Sequence, residues 1–240
     1  MQKVLSTMRK AIEKYHLIDN GDKIAVGVSG GKDSLVLLKA LADFKKFNLF
    51  DFDLVAVTID IYSGTVDYSG LQKFCEEAEV PLYIEKTDIK QVVFDVRHEK
   101  NPCSLCAKMR RGALNTACNK LGCNKLALAH HLQDVVSTFF LSLFYEGRLS
   151  TMLPKSYMSN ADVTLIRPLY LTHEERIIHV AKNYPVLKSQ CPANDKTKRR
   201  DVKDLVNLIE KQIPDVKKRI EHAILADESY NLLDKVKDEK

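Results

Sequence analysis

Apolar residues follow two patterns that alternate along the chain. Short continuous apolar runs are typical of strands buried on both faces, and they occur at residues 23–28, 54–59, 81–85, 125–129 and 163–166. Helical spacing of apolar positions predicts helices at residues 3–17, 34–42, 68–79, 104–121, 132–145, 173–183, 198–213 and 215–226. The alternation predicts an α/β fold in which helices sandwich a parallel sheet, with further helices at the C-terminus.

The composition excludes several classes of protein. The 240 residues include 37 lysines and arginines against 32 aspartates and glutamates, a net charge of +5, and 45% are hydrophobic. This balance is typical of a soluble globular chain. No apolar run reaches the roughly 18 residues of a membrane span, and the first residues lack the apolar stretch of a secretory signal. We therefore expect a cytoplasmic protein with no membrane partner and with reduced cysteines.

Polar residues follow three of the predicted strands at the point where each strand ends. They are residues 29–34 after the first strand, Asp60 after the second, and residues 130–134 after the fourth. Ligands of parallel sheets bind beyond the carboxyl ends of the strands. The sequence therefore predicts one site formed by these three segments.

The segment SGGKDS, residues 29–34, connects an apolar strand to an apolar helix. Its two glycines allow backbone N–H groups to approach an anion closely, and the helix start adds a positive dipole end. Lys32 adds a positive charge and the two serines add hydroxyl donors. Because Val26 occupies the first glycine position and Asp33 follows the lysine, the loop does not match the Walker pattern. We interpret it as a phosphate-binding loop of another type.

The six cysteines divide by position. Cys103 and Cys106 form a CxxC motif at the start of a predicted helix, which suits zinc, an iron–sulfur cluster or redox exchange. A four-cysteine zinc site with Cys118 and Cys123 competes, but a continuous helix separates Cys118 from Cys103 by roughly 22 Å. We therefore expect core packing for Cys118 and Cys123, and also for Cys75. The sixth, Cys191, lies in a polar segment.

Two sequence segments resemble known families. SGGKDS resembles the signature of the PP-loop ATP pyrophosphatases, which have an adenine nucleotide alpha hydrolase-like fold and cleave ATP between its α and β phosphates. The run that begins with CSLCAKMRRG is very similar to the tRNA 2-thiocytidine synthetases of the TtcA type, and the match extends over residues 22–226. The resemblance implies a PP-loop ATP-binding catalytic domain at 21–185, after an N-terminal helix at 1–20 and before a cysteine loop with helices at 186–240.

The resemblance also implies a ligand for the cysteines. In that family the CxxC pair and one later cysteine hold a [4Fe–4S] cluster, and by position these are Cys103, Cys106 and Cys191. Three protein ligands leave one iron with an open position that can bind sulfide. Zinc in structural sites prefers a closed shell of four protein ligands.

The family pattern Gly-His-His-x-Asp-Asp is only partly kept. Ala129 replaces the glycine and Gln133 replaces the first aspartate, while Asp134 matches the second. The loss at position 133 puts in doubt any role that needs an acid there. Asp134 is the better candidate for polarising a reacting group or helping to place Mg²⁺.

The resemblance assigns roles to the site residues. ATP phosphates bind Ser29, Gly30, Gly31, Lys32, Asp33 and Ser34, and adenosine binds near Ile59 and Asp60. His130 is also expected to contact the cofactor. The residues expected to carry catalysis are Lys32, Asp33, Arg110 and Asp134. Arg167 belongs to a second matching run, LIRPL, and is also expected near the site. A basic cluster offers phosphate contacts to RNA and consists of Lys196, Lys198, Arg199 and Arg200.

These inferences predict an ATP-dependent tRNA thiolase that forms 2-thiocytidine in an anticodon loop. The sulfur donor would be a cysteine desulfurase or sulfide, and the apolar N-terminal helix suggests a homodimer. A different acceptor is the first alternative: uridine thiolation, lysidine synthesis, or sulfur transfer to a small molecule. A non-catalytic nucleotide- and metal-binding protein is the second, and Gln133 favours it.

Overall fold

The computed structural model describes residues 1–96, 102–187 and 198–226. Six strands form one sheet: β1 (Asp22–Gly27), β2 (Phe52–Asp60), β3 (Leu82–Lys86), β4 (Lys125–Ala127), β5 (Lys155–Met158) and β6 (Val163–Ile166). The helices of the described segments are α1 (Gln2–Tyr15), α2 (Lys32–Lys45), α3 (Ser69–Glu77), α4 (Pro102–Lys120), α5 (Leu132–Glu146), α6 (Glu174–Val180), α7 (Lys198–Gln212) and α8 (Val216–Leu225). No helix in this part of the chain is long and apolar enough to cross a membrane.

The strand order is β3-β2-β1-β4-β6-β5, and β1 is the strand from which the chain builds the sheet in both directions. The chain first adds β2 and β3 on one side of β1, and later adds β4 and β6 on the other side, all parallel. Because the chain adds strands first on one side of β1 and then on the other, a crevice forms at the carboxyl ends of the neighbouring strands β1 and β4. The loops after β1 and β4 therefore meet at one place.

Apolar side chains cover both faces of the sheet, as the continuous apolar runs predict. In β1, Ile24 and Val26 pack on one face with α1, α2 and α3, whereas Ala25 packs on the other face with α4. Leu54 and Val55 divide in the same way in β2. The predicted α/β sandwich is therefore confirmed.

The edge of the sheet differs from the prediction of an all-parallel sheet. β5 runs antiparallel to β6 and pairs Lys155 with Ile166. Its sequence, KSYM, has no apolar run because it is an edge strand, and Tyr157 on it is exposed. A π-helical turn at Gln91–Val96 was also absent from the predicted elements.

Candidate nucleotide and cysteine site

The glycine loop leaves β1 and enters α2 through a compact turn. Ser34 Oγ donates to the carbonyl of Gly31 at 2.8 Å, and the Ser29 amide donates to Ser34 Oγ at 3.2 Å. Gly30 has φ +78°, a backbone conformation that favours glycine. Among the described residues no side chain caps α2, whose first turn begins after Gly31. The unpaired N–H groups of that turn are thus available to an anion.

Leu187 packs directly against this loop. Its amide donates to the carbonyl of Gly30 at 3.0 Å, and its side chain covers the Cα of that glycine so that Gly30 is buried. Leu187 is the last described residue before the segment 188–197, which contains Cys191. The glycine loop is therefore in contact with the chain just before the third predicted cysteine ligand, which itself lies outside the described residues.

Lys32 lies within an ionic network. Its Nζ donates to Asp33 Oδ1 at 2.9 Å and to Glu174 Oε1 at 3.2 Å, and Lys203 Nζ donates to the other oxygen of Glu174 at 2.7 Å. Burial disfavours the charged lysine, but the two carboxylates outweigh it and raise the pKa of Lys32. Burial likewise opposes ionisation of Glu174, but both lysines together lower its pKa. Lys32 and Glu174 are therefore both stabilised in their charged forms.

The turn after β4 brings a second acid to the loop. Asp134 Oδ2 accepts from the backbone N–H of His131 at 3.1 Å, and Asp134 Oδ1 accepts from Arg199 Nη1 at 2.9 Å. The imidazole Nε2 of His131 lies 3.8 Å from Asp33 Oδ1 and 3.5 Å from Asp134 Oδ2. The second acid of the family pattern is therefore close to the phosphate-loop aspartate.

Gln133, which replaces the first family aspartate, contacts residues of α6 and α8. Its Oε1 accepts from the Glu174 amide at 2.7 Å, and its Nε2 donates to Glu221 Oε1 at 3.3 Å. The side chain thus connects the start of α6 to α8. Glu174, whose amide Gln133 contacts, supplies a carboxylate beside Lys32.

Arg167 contacts the other histidine of the turn. Its Nε donates to His130 Nδ1 at 3.2 Å, and its Nη1 donates to the carbonyl of Leu153. Burial lowers the pKa of His130, since the charged imidazolium would be desolvated, and nearby Arg167 and Arg199 lower it further. His130 is thus a neutral imidazole at neutral pH.

A cleft of about 250 Å³ lies between the two loops, and α4 forms one of its walls. Its lining includes these residues of the predicted site: Ser29, Asp33, Ser34, Ile59, Arg110, His130 and Asp134. Asp60 is not among the lining residues: its carboxylate is buried and accepts from the amides of Tyr62 and Gly64, so it shapes the turn after β2. Lys32, Gly30 and Gly31 belong to the loop beside the cleft rather than to its lining.

The CxxC motif occupies the first turns of α4, where Cys103 is exposed and Cys106 is half-buried. Spacings of three and seven residues from Cys103 put Cys106 and Arg110 on one face of the helix. Because Arg110 and Leu114 line the cleft, both thiols lie on the face of α4 that continues from it. Helical rise separates Cys106 and Arg110 by about 6 Å along the axis.

The other described cysteines lie in the core, as predicted. Cys75, Cys118 and Cys123 are at most 4% exposed. Burial raises the pKa of Cys118 to about 12 and that of Cys75 to about 11, so these thiols stay protonated. Since α4 is continuous from Pro102 to Lys120, Cys118 lies about 22 Å from Cys103 and the four-cysteine zinc site is excluded.

Two members of the basic cluster make contacts within the chain, and the role of the cluster in binding RNA phosphates stays a prediction. Arg199 contacts Asp134 and Thr138, and Lys198 Nζ lies 4.3 Å from the ring centre of Tyr145. Both side chains therefore have partners within the chain, whereas Lys196 lies outside the described residues.

The sequence did not indicate three residues of the site: Glu174, Lys203 and Leu187. Of these, only Glu174 could have been expected, because it follows β6 and sites form beyond the carboxyl ends of parallel strands.

The sheet reversal, the glycine loop and the acidic turn define an α/β protein that binds a nucleotide by its phosphates. A family model described as a PP-loop domain matches residues 2–201. The tRNA-cytidine(32) 2-sulfurtransferase of Pelobacter propionicus is 38% identical over 94% of this chain and 86% of its own length. Its counterpart from Geobacter sulfurreducens is 37% identical over 93% of this chain and 89% of its own length.

A solved structure is also similar. The U34-tRNA thiolase NcsA from Methanococcus maripaludis with its [4Fe-4S] cluster superposes with a TM-score of 0.69 at 26% identity, over 91% of this chain and 76% of that one. The chain therefore belongs to the PP-loop family and, within it, to the family of the tRNA-cytidine(32) 2-sulfurtransferases.

Proposed function

We propose that this protein is an ATP-dependent tRNA sulfurtransferase that converts a cytidine, by its relatives' name cytidine 32, to 2-thiocytidine. The observation that carries the proposal is convergence on one cleft: the glycine loop, the acidic turn after β4 and the cysteine-bearing face of α4 all border it. Phosphate binding, activation and sulfur delivery need these three elements within a short distance of one another.

The glycine loop would hold the β and γ phosphates of ATP, with adenosine beside Ile59. Lys32 is kept charged by Asp33 and Glu174 and so can neutralise charge that develops on the departing pyrophosphate. The backbone N–H groups at the start of α2 act on the same charge. Asp33 and Asp134 offer carboxylate oxygens, the ligand type that Mg²⁺ prefers.

The carbonyl oxygen of the cytidine ring would attack the α phosphorus, and the bond from that phosphorus to the bridging oxygen breaks to release pyrophosphate. A sulfide equivalent then forms a bond to ring carbon 2, and the carbon–oxygen bond breaks to release AMP. Arg110 lines the cleft from α4 and can pair with the α-phosphate oxygens in both steps. The base must leave its stack to enter, which favours an anticodon loop.

The described cysteines fit an iron–sulfur cluster in their chemistry and position. Cys103 is exposed and Cys106 is half-buried, and the two lie one helical turn apart on α4, next to Arg110. Cys118 and Cys123 are instead buried, and burial raises the pKa of both thiols. When bound by Cys103, Cys106 and Cys191, a [4Fe–4S] cluster would supply an iron with an open position for sulfide. Cys191 follows Leu187 by four residues, a length of chain that spans at most about 14 Å.

The remaining partners are proposals as well. We propose a cysteine desulfurase or free sulfide as the sulfur donor and the cytoplasm as the location. A homodimer is also proposed, but through a surface other than the apolar face of α1, because that face is buried against the core through Val4, Met8 and Ile12. Sedimentation of the purified protein at several concentrations tests the dimer directly.

Mass spectrometry of tRNA nucleosides tests the function. A bacterial strain that lacks 2-thiocytidine should gain it when it expresses this chain, and should not when it expresses Lys32→Ala or Cys106→Ala. Cys118→Ala serves as the matched cysteine control and should still restore the nucleoside. Appearance of 2-thiouridine instead would favour the uridine acceptor of the structural relative, and lysidine would favour lysine as the nucleophile.

A second measurement separates an enzyme from a binding protein. Anaerobically purified protein with tRNA, Mg²⁺ and a sulfur donor should release AMP and pyrophosphate from ATP in a tRNA-dependent manner. Release of neither product, with ATP binding intact, would contradict the enzyme and favour the non-catalytic alternative.

A further inference from the structure

His130 lines the cleft with Ser29, Asp33, Arg110 and Asp134, and Arg167, which is not part of the lining, contacts His130. A guanidinium carries only hydrogen-bond donors, so the atom that Arg167 Nε contacts, His130 Nδ1, must accept. A neutral imidazole has one protonated nitrogen, and with Nδ1 accepting, the proton is on Nε2. The contact therefore selects one tautomer.

We propose that Arg167 is a positioning residue that holds His130 as the Nε2–H tautomer, and that this N–H donates a hydrogen bond to a substrate oxygen in the cleft. The inference rests on the proposed function and adds a donor to its site. The oxygen is a non-bridging oxygen of the α phosphate of ATP. It carries negative charge throughout adenylation, and a neutral donor stabilises that charge without giving up its proton.

The surroundings of His130 keep the imidazole neutral. Burial has the largest effect and lowers the pKa of His130. Asp134 raises this pKa, whereas the charges of Arg167, Arg199 and His131 lower it further. Arg167 thus has two separable effects, a donated hydrogen bond and a positive charge. Its Nη1 meanwhile holds the Leu153 carbonyl, which fixes the guanidinium in place.

Two substitutions separate the two effects. Arg167→Gln retains an N–H donor but removes the charge, and Arg167→Met removes both. Long-range ¹H–¹⁵N correlation spectra of the ¹⁵N-labelled holoprotein report the tautomer, with the His130 signals assigned by their loss in His130→Gln. We expect Nε2–H in the wild type and in Arg167→Gln, and an altered or mixed tautomer in Arg167→Met. Nδ1–H in the wild type, or an unchanged tautomer in Arg167→Met, overturns the proposal.

Substitution of His130 itself tests the donor and does not depend on how Arg167→Met folds. A glutamine amide reaches roughly the position of Nε2, whereas an asparagine amide reaches only that of Nδ1. We expect His130→Gln to retain most of the adenylation rate and His130→Asn to lose about 100-fold, as for removal of one oxyanion donor elsewhere. Equal loss in both variants, with normal melting temperatures, contradicts the assignment of the donor to Nε2.

The same variants show at which stage the hydrogen bond acts. If His130→Asn weakens ATP binding in the absence of tRNA, the α phosphate accepts the hydrogen bond already in bound ATP. If ATP binds normally and only the tRNA-dependent release of pyrophosphate falls, the hydrogen bond acts in the transition state of adenylation. The tautomer spectra need no tRNA, so a protein that modifies no tRNA would contradict the proposed function and leave the histidine result to be judged separately.

Discussion

The side chain of Leu187 occupies the space where a β-carbon on Gly30 would lie. A β-carbon built there would be 2.6 Å from Leu187 Cδ1, well inside van der Waals contact. Position 30 therefore requires glycine for two reasons: its φ of +78° favours glycine, and Leu187 leaves no space for a β-carbon. The nucleotide loop and the chain that leads to Cys191 consequently share one packing contact.

Gly30→Ala should lower the free energy of unfolding by at least about 2 kcal/mol, because it adds left-handed backbone strain to an overlap with Leu187. Denaturant titration measures this loss. The matched control is Gly112→Ala on the exposed surface of α4, where no atom lies within 4 Å, and there we expect a gain of about 0.5–1 kcal/mol. A Gly30→Ala protein as stable as the wild type would contradict the packing described here.

Cluster content should depend on Cys103, Cys106 and Cys191 and not on the core cysteines. Anaerobically purified protein should be brown with close to four irons per chain, and Cys106→Ala and Cys191→Ala should each abolish this. Cys118→Ala is the control, because its thiol is buried and has a pKa of about 12. Stoichiometric zinc with no iron, or loss of iron in the control alone, would refute the ligand assignment.

Arg199→Ala should reduce ATP-dependent turnover while changing stability by less than about 1 kcal/mol. Its ion pair with Asp134 is partly exposed, with 43% and 23% of the two side chains accessible, so solvent screens its contribution to folding. Arg199 nevertheless orients Asp134, an acid that lines the cleft. Arg9→Ala removes a comparable exposed pair, with Glu13 on α1, and should leave turnover unchanged. Equal activities of the two variants would argue against a role for Arg199.

Gln133→Glu should destabilise the protein by about 1–2 kcal/mol, because a carboxylate would then face the partly buried carboxyl of Glu221 in place of a donor. Gln72→Glu is the matched control: Gln72 also donates to a glutamate, Glu76, but on the exposed surface of α3. At this exposed position the free energy of unfolding should change by no more than about 0.5 kcal/mol. Thermal denaturation at neutral pH compares the two, and equal shifts would show that the contacts of Gln133 are unimportant.

Glu174 should contribute a pH-dependent part of the stability. Its pKa in the folded protein lies below its ordinary value of 4.5, because Lys203 and Lys32 outweigh the effect of burial. A lowered folded pKa stabilises the protein above pH 4.5, and this stabilisation is lost as the pH falls below that value. The melting temperature of Glu174→Gln should therefore fall less steeply than that of the wild type as the pH is lowered below 4.5. The exposed neighbour Glu175→Gln should follow the wild-type curve.

The sequence predicts the elements that determine the fold because their patterns are local. β1 and β2 are recognisable by apolar runs that result from burial on both faces, and the helix after SGGKDS begins where its glycines end. The edge strand β5 lacks that signal, since one of its sides faces solvent. The family, and with it the ATP-dependent tRNA thiolase predicted from the sequence, is confirmed by the comparisons.

The contacts within the site are less predictable because they join residues distant in sequence. Glu174 meets Lys32 across 142 residues and Arg199 meets Asp134 across 65, and no spacing rule relates either pair. The basic cluster of Lys196, Lys198, Arg199 and Arg200 indicated phosphate contacts, and nothing in the sequence indicated that Arg199 also pairs with an acid of the same chain. The positions of the individual catalytic side chains stay predictions that the variants above test.

Helix α4 fixes how far the thiols lie from the cleft and in which direction they point. One residue inserted between Cys106 and Arg110 would rotate both cysteines by about 100° about the helix axis, away from the cleft. Seven inserted residues would restore the direction but add about 10 Å to the separation. In proteins that keep this chemistry, changes in length should therefore fall outside the part of α4 between Cys103 and Leu114.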